Sequence, residues 1–421
     1  MDSKEINLAG EEGEKQNKPI QEEMNKKIKL LIITFAIFLI VFILVFIILA
    51  SVNTDDTVNE NDSEEKGNGK NPEGEVLNIF NCTYETSIND EEIRILGDEF
   101  KNDFQMDIII DGKKQKFAKI FIFELVGEHS VQFKLYTKSF SMDYMFKDAS
   151  SLKSIKMLSK ENYEITSMVG TFQNCENLQS LENNGFVTKN VKSMRGLFYN
   201  TGISNFNFTK MNINTESVED MSYMFSSMKA QKLNIYNLNT KKVSNMSNMF
   251  KNSFLLTSLN LSGFDINNVV DTSYMFSSCF LLEKLDLESF KENKIKNMSH
   301  MFHDCISLTE LKLSKLKTNN VADLSGLFKN CLAIKSIDLK NFDTSNVVNM
   351  NEMFSDCTNL ETLNIESFNT EKCKSFDNIF ENCEGLKLYL DEGKTSNLKK
   401  YIPEYVIVNE DEDEDEDEDE E

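Results

Sequence analysis

Residues 297–305 read NMSHMFHDC, and this stretch decides the fold because its pattern recurs along the chain. Its apolar residues, which include Phe302 and Cys305, are spaced i, i+3, i+4 and i+7, as on one face of a short helix. The first residue, Asn297, is a helix-capping type whose side-chain oxygen accepts an otherwise unbonded backbone N–H. The stretch therefore predicts a short capped helix with one buried face.

The recurrence is an internal repeat of about 26 residues. A phenylalanine ends the same motif at positions 146, 172, 198, 225, 250, 276, 302, 328, 354 and 380. The spacing is 26 except for 27 and 25 on the two sides of Phe225, which predicts a local irregularity near residues 200–240. Five positions before each phenylalanine stands a capping type: Ser141, Ser167, Ser193, Asp220, Asn245, Asp271, Asn297, Asp323, Asn349 and Ser375.

The second half of each unit reads as a strand. Leu308, Leu311 and Leu313 form an L-x-x-L-x-L pattern, and the last two alternate as a half-buried strand requires. One short helix and one short strand cannot bury a core alone, so the copies must stack with their strands in parallel. The sequence thus predicts the α/β class, as a leucine-rich-repeat solenoid of about ten units over residues 141–405.

At this point the repeat resembles a known family. Residues 243–250 read VSNMSNMF and residues 342–350 read FDTSNVVNM, which is similar to the unit of the BspA-like leucine-rich repeat surface proteins. The resemblance covers roughly residues 140–390. It implies a cell-surface protein used in adhesion and implies no catalytic residues. The chain departs from family members that have a C-terminal anchor, because its apolar segment is N-terminal.

That segment is the run from Leu30 to Ala50, in which only Thr34 is polar. Its length suits a bilayer core of roughly 30 Å, and a cleaved signal peptide has a shorter apolar region. We therefore expect an uncleaved transmembrane helix over residues 28–50. Lysines on its N-terminal side predict a cytoplasmic tail of residues 1–27 and place the repeats on the exoplasmic side of the plasma membrane, in a single-pass type II topology.

The regions around the repeats have different compositions. Residues 51–75 are polar and predict a flexible stalk. Strand patterns in residues 76–140 predict a small β domain that caps the first repeat, whose apolar face needs a cover. Residues 406–421 predict an acidic disordered tail, and the run 410–421 supplies half of the net charge of −24. A solubilising end is the favoured role of the tail, and weak Ca²⁺ or polycation binding is the alternative.

The composition excludes several functions. We expect no nucleic-acid partner for so acidic a chain, because binding nucleic acid requires a basic face. We expect no enzyme activity and no cofactor, since the sequence has three histidines and no phosphate-binding glycine loop. His300 and His303 are better read as surface residues than as metal ligands. A column of cysteines at one repeat position predicts buried thiols with a packing role: Cys175, Cys279, Cys305, Cys331, Cys357 and Cys383.

The candidate binding face consists of the residues between the buried leucines of the strands. Because alternate strand residues point outward, we expect a charged surface of mixed sign that suits a protein or glycan. Its members are Glu283, Lys284, Asp286, Lys312, Lys335, Asp338, Lys340 and Glu361. Asn61 and Asn81 lie in Asn-x-Ser/Thr sequences and are possible glycosylation sites.

Three functions remain open at this stage. The favoured one is a membrane-anchored surface protein that mediates adhesion or binds an extracellular protein or glycan. A second is a receptor or scaffold that recruits partners through residues 1–27. A third, disfavoured because no acid–base constellation is visible, is a type II enzyme of the secretory pathway.

Overall fold

A computed structural model describes residues 75–409, which lie in the second of the chain's two compact units, Glu73–Glu421. Residues 1–27, 28–50 and 51–74, which carry the predicted tail, transmembrane helix and stalk, lie outside the described residues, as does the acidic run 410–421. Between residues 75 and 409, no helix is both long enough and apolar enough to cross a bilayer.

Most of the regular structure is β-strand. The strands up to the second repeat unit are β1 (Asn78–Thr86), β2 (Glu91–Arg94), β3 (Met106–Ile110), β4 (Lys113–Gln115), β5 (Ile120–Phe123), β6 (Gly127–Leu135), β7 (Ser139–Ser141), β8 (Leu152–Ser159), β9 (Glu164–Ser167) and β10 (Ser180–Asn184). The later strands are β11 (Asn205–Asn207), β12 (Lys232–Asn234), β13 (Ser258–Leu259), β14 (Lys284–Asp286), β15 (Glu310–Lys312), β16 (Ser336–Ile337), β17 (Thr362–Asn364), β18 (Lys387–Tyr389) and β19 (Ile407–Asn409).

The N-terminal part shares a sheet with the first two units. Its strand order is β10-β8-β1-β6-β3-β4, and β1 pairs antiparallel with both β6 and β8. From β1 and β6, Phe80 and Phe133 place their rings 6.1 and 5.7 Å from Phe146, the first phenylalanine of the repeat. The apolar end of the stack is therefore covered by residues that precede the repeats.

The later units continue the stack, which makes a β-solenoid of about ten turns in all. Each contributes one short strand to a parallel sheet, in the groups β11-β12-β13, β14-β15 and β16-β17-β18-β19. A second line of contact is a row of parallel bridges that runs from Ser193 through Asp220 and Asn245 to Ser375. The residues of this row are those that the sequence marks as helix caps.

The helices predicted for the repeat units are wrong, and so is the α/β class that rested on them. In the described residues the one α-helix is α1 (Glu392–Thr395), and the two 3₁₀ helices are Phe208–Met211 and Lys399–Tyr401. In every unit the residues two before and two after the recurring phenylalanine have φ between 53° and 62°. A right-handed helix needs φ near −63°, so the chain forms consecutive tight turns instead.

The predicted capping residues keep their chemistry but begin a turn. In eight units the capping side chain accepts the backbone N–H two residues on; Asn297 Oδ1, for example, accepts from Ser299 N at 3.0 Å. In the turn that follows, Met301 N donates to Met298 O at 3.2 Å, while Phe302 N donates to Leu327 O in the next unit at 3.0 Å. Some backbone N–H groups thus bond within the turn and others bond to the next unit, so that buried backbone groups have partners.

The recurring phenylalanines form a continuous stack in the core. All ten are fully buried, and successive ring centroids are 5.5 to 6.0 Å apart with interplanar angles of 2° to 18°. Ring pairs at this separation add to the free energy of apolar burial. The prediction that these side chains point into a shared core is confirmed.

A column of buried threonines also links the units. Thr318 Oγ1 donates to Asp343 O at 2.9 Å and accepts from Asp343 N at 2.7 Å. The same reciprocal pair is made by Thr188, Thr215, Thr240 and Thr344. One hydroxyl therefore satisfies both backbone groups of a residue in the following unit.

At the C-terminal end the repeat pattern stops and a short segment covers the last unit. Leu398, which follows α1, is fully buried, and the Tyr401 ring lies 5.3 Å from that of Phe376. β19 then pairs parallel with β18 and ends the sheet.

We expect Thr318→Val to lower the free energy of unfolding by about 1–3 kcal/mol, because both backbone groups of Asp343 lose their partner. The matched control is Thr309→Val. Thr309 donates to Glu283 O at 3.1 Å from an exposed position, so its replacement should cost less than about 0.5 kcal/mol. Urea unfolding followed by circular dichroism measures both, and equal losses would contradict the role of the buried column.

Candidate functional site

The strand side of the solenoid is the candidate binding surface, and the structure places the predicted residues on it. All eight, from Glu283 to Glu361, are exposed. Leu285 and Leu363, which lie between them in β14 and β17, are buried. The alternation predicted for the strands is therefore present, while ligand binding by these eight residues stays a prediction.

Ion pairs join the charged residues of this surface. Lys284, the first residue of β14, lies opposite Glu310 of β15, with Nζ 2.7 Å from Oε2. The other pairs are Lys312–Asp286 at 3.3 Å, Lys335–Glu361 at 2.7 Å and Lys340–Asp338 at 3.4 Å. The hydrogen bond from Lys284 lowers the pKa of the Glu310 carboxyl. The result is a charged but locally neutral surface, whose pairs contribute little to stability because water screens them.

A groove of about 780 Å³ opens on the same side, along β11, β12 and β13. Tyr236 and Leu255 line it with 54% and 44% of their surface exposed. Lys229 and Lys232 supply its charges. The groove was not predicted from the sequence, although it lies where the repeat spacing departs from 26 on the two sides of Phe225.

The thiols of the cysteine column form hydrogen bonds between units. Each thiol donates to the carbonyl of a phenylalanine 29 residues earlier, as Cys305 does to Phe276 O at 3.2 Å. The same bond is made by Cys175, Cys279, Cys331, Cys357 and Cys383 at 3.0 to 3.3 Å. Ser253 stands at this repeat position in another unit and donates to Phe225 O at 3.0 Å.

All eight cysteines are free and buried, including Cys82 in β1 and Cys373 outside the column. Burial raises the pKa of the Cys279 thiol to about 12 and that of Cys305 well above its usual range. A thiol held protonated in this way is a poor nucleophile and a poor metal ligand.

The two neighbouring histidines pack against a tyrosine and against each other. The His300 ring stacks on Tyr274 at 4.7 Å and meets the His303 ring edge-on at 5.5 Å. His303 Nδ1 lies 3.3 Å from Asp304 Oδ2 and 3.5 Å from Ser277 Oγ. Burial lowers the pKa of both imidazoles. Across residues 75–409, no group of three or more His, Cys, Asp or Glu side chains is placed to hold a metal ion.

The two predicted glycosylation sites differ in what the structure describes. Asn81 lies in the middle of β1, and its side-chain oxygen accepts a hydrogen bond from Gln132 Nε2 at 3.0 Å. Asn61 lies outside the described residues. Use of either site stays a prediction.

Comparison with known proteins identifies the repeat. The profile of a family described as "Mycoplasma protein of unknown function, DUF285" matches residues 136–237, 166–280, 201–310, 226–336 and 296–405. Together these matches cover more than half of the chain. The chain belongs to the DUF285 family.

Other comparisons add less. No curated protein matches the DUF285 chain by sequence. Among solved structures, one titled "Crystal structure of TLR13-ssRNA13 complex" is similar at 15% sequence identity with a TM-score of 0.18. The alignment covers 58% of this chain and 49% of that one, so the DUF285 chain spans about half the length of its structural relative.

The thiol column predicts a loss of stability in alkaline solution. Burial raises the folded-state pKa of these thiols, so the folded chain holds their protons more tightly than the unfolded chain does. Their contribution is full below the unfolded-state pKa of about 8.5 and falls as pH rises above it. We expect the urea midpoint to drop between about pH 8 and 10.

The control for this prediction is a Cys305→Ser, Cys331→Ser variant. A hydroxyl at this position bonds the same carbonyl, as Ser253 shows, and does not ionise in this range. The variant should lose less stability over the same pH interval than the unmodified chain. Equal losses would assign the alkaline effect to other groups.

Proposed function

We propose that this protein is a single-pass, type II plasma-membrane surface protein that mediates adhesion by binding an extracellular protein or glycan. In this proposal residues 1–27 are cytoplasmic, residues 28–50 form the anchor, and the solenoid is displayed outside the cell. The similarity of its units to those of BspA-like surface proteins supports the proposal, as does the single long apolar segment near its N-terminus.

The observation that carries the binding role is the strand surface. The solenoid directs its large apolar side chains into one core and leaves charged side chains aligned on the short parallel sheets of successive units. Solenoids of stacked repeats use such extended surfaces for binding. Surface ion pairs such as Lys335–Glu361 are screened by water, so little free energy is lost when a ligand replaces one partner.

In this proposal the protein is not an enzyme. The thiols are buried and protonated, and His129 bonds Asp111 at 2.8 Å and the Leu125 carbonyl at 2.8 Å from within the sheet. A scaffold or adhesin is therefore a better fit to these residues than an enzyme.

Charge reversal tests the proposed surface. In a cell-adhesion assay with the full chain displayed on beads, we expect replacement of Lys284, Lys312, Lys335 and Lys340 by Glu to reduce adhesion about tenfold or more, because complementary charges on the partner would then repel. The matched control reverses Lys241, Lys291, Lys317 and Lys372, which are exposed in the turns after the strands.

Adhesion that is unchanged by the strand-surface reversal, or that falls equally with both variants, would reject this surface as the binding site. Topology is tested separately by labelling intact cells with an antibody against the solenoid. Labelling that requires permeabilised cells would reject display outside the cell.

A further inference from the structure

The groove along β11, β12 and β13 differs in charge from the rest of the strand surface. The chain has a net charge of −24, yet no aspartate or glutamate lines this groove. Its charged lining residues are Lys229 and Lys232. Coulomb attraction therefore favours an anionic occupant over a cationic one.

Lys232 differs from Lys284, the lysine at the same position of a later strand, in having uncharged neighbours across the sheet. It is the first residue of β12, and its neighbours across the sheet are Asn205 in β11 and Ser258 in β13, neither of which is charged. Within the described part of the chain it forms no ion pair. Lys284 holds the same position in β14 but faces Glu310, which neutralises it.

The second lysine is only weakly held. Lys229 Nζ lies 3.2 Å from Glu176 Oε2, and both side chains are about half exposed, 48% and 49%. A surface pair of this kind contributes little and is readily exchanged, because solvent screens it. Both lysines are thus available to an anion in the groove.

The remaining lining residues supply an aromatic ring and amides. Tyr236, which is 54% exposed, offers a ring face of the kind that can pack against the apolar C–H surface of a sugar, and a hydroxyl that can form hydrogen bonds. Asn234 and Asn260 are exposed along the same side of neighbouring strands. Amides both donate and accept, which suits the hydroxyl groups of a sugar.

We propose that this groove binds an anionic oligosaccharide, with Lys229 and Lys232 at its sulfate or carboxylate groups and Tyr236 against a sugar ring. The inference rests on the proposed binding function and names the ligand class for one part of the strand surface. An open groove that combines lysines, amides and a single aromatic ring fits a glycan chain better than it fits a drug-sized apolar ligand, which needs an enclosed apolar cavity.

The test uses the full chain in detergent micelles and three fluorescently labelled octasaccharides: one from heparin, which is sulfated; one from hyaluronan, which carries carboxylates alone; and neutral maltooctaose. Fluorescence anisotropy gives each Kd. We expect at least one anionic octasaccharide to bind and the neutral one to bind at least about tenfold more weakly. Binding of heparin alone identifies sulfate as the recognised group, and binding of hyaluronan alone identifies carboxylate.

Variants locate the site. Lys232→Gln and Tyr236→Ala should each raise Kd about tenfold, while Lys291→Gln, at an exposed position after β14 and outside the strand surface, should change it less than about twofold. Because all three side chains are exposed, thermal unfolding should be unchanged. Loss of binding in Lys291→Gln equal to that in Lys232→Gln, or no effect of Tyr236→Ala, would overturn the assignment to the groove.

The two proposals fail separately. If neither anionic octasaccharide binds while the displayed chain still adheres to cells, the glycan assignment is overturned and the proposed function stands. If adhesion is absent as well, both fail.

Discussion

The backbone hydrogen bonds that each unit gives to the next are the constraint on which the structure depends. Along the turn of one unit, the backbone N–H groups of alternate residues donate to carbonyls of the next unit. Met298 donates to Asp323 O, His300 to Ser325 O, and Asp304 to Lys329 O, at 2.8 to 3.1 Å. A buried N–H without a partner costs free energy, so no unit is complete without a neighbour. These bonds hold neighbouring units together. The stacked phenylalanines, the threonine hydroxyls and the thiols make further contacts between the same units. The same constraint explains why residues outside the repeat cover both ends.

Much of the fold could be predicted from the sequence, because the period and the identity of the buried residues follow directly from the spacing of Phe, Met and Leu. The local conformation could not be predicted from spacing alone. Inward-facing residues at i, i+3, i+4 and i+7 occur in a helix, but they also occur when tight turns succeed one another with φ positive at two fixed positions. The available signal was chemical: Gly170 and Gly326 occupy one of these positions, and Asn200 and Asn330 the other. Glycine and asparagine favour the left-handed region that a helix excludes.

The candidate site divides in the same way. Exposure of the charged strand residues follows from alternation, which is local. Their pairing depends on which residue lies opposite in the next unit, and Lys284 and Glu310 meet only because the register of β14 and β15 is parallel and in phase. The groove was harder still to predict; it lies along β11 and β12, which come one residue early relative to Phe198 and Phe225. The irregular spacing marked the place but did not indicate that a depression would form there.

The shared hydrogen bonding of neighbouring units also bears on how the length of this protein can change. Because the units share one pattern of backbone hydrogen bonds to their neighbours, removal or duplication of one whole unit joins surfaces that already fit. An in-frame recombination between two repeats would then yield a shorter or longer solenoid with both end covers intact. A gain or loss of one residue instead alters the outer surface, as the region of Phe225 illustrates. The length of the solenoid and the chemistry of its outer surface can therefore evolve independently in such a chain.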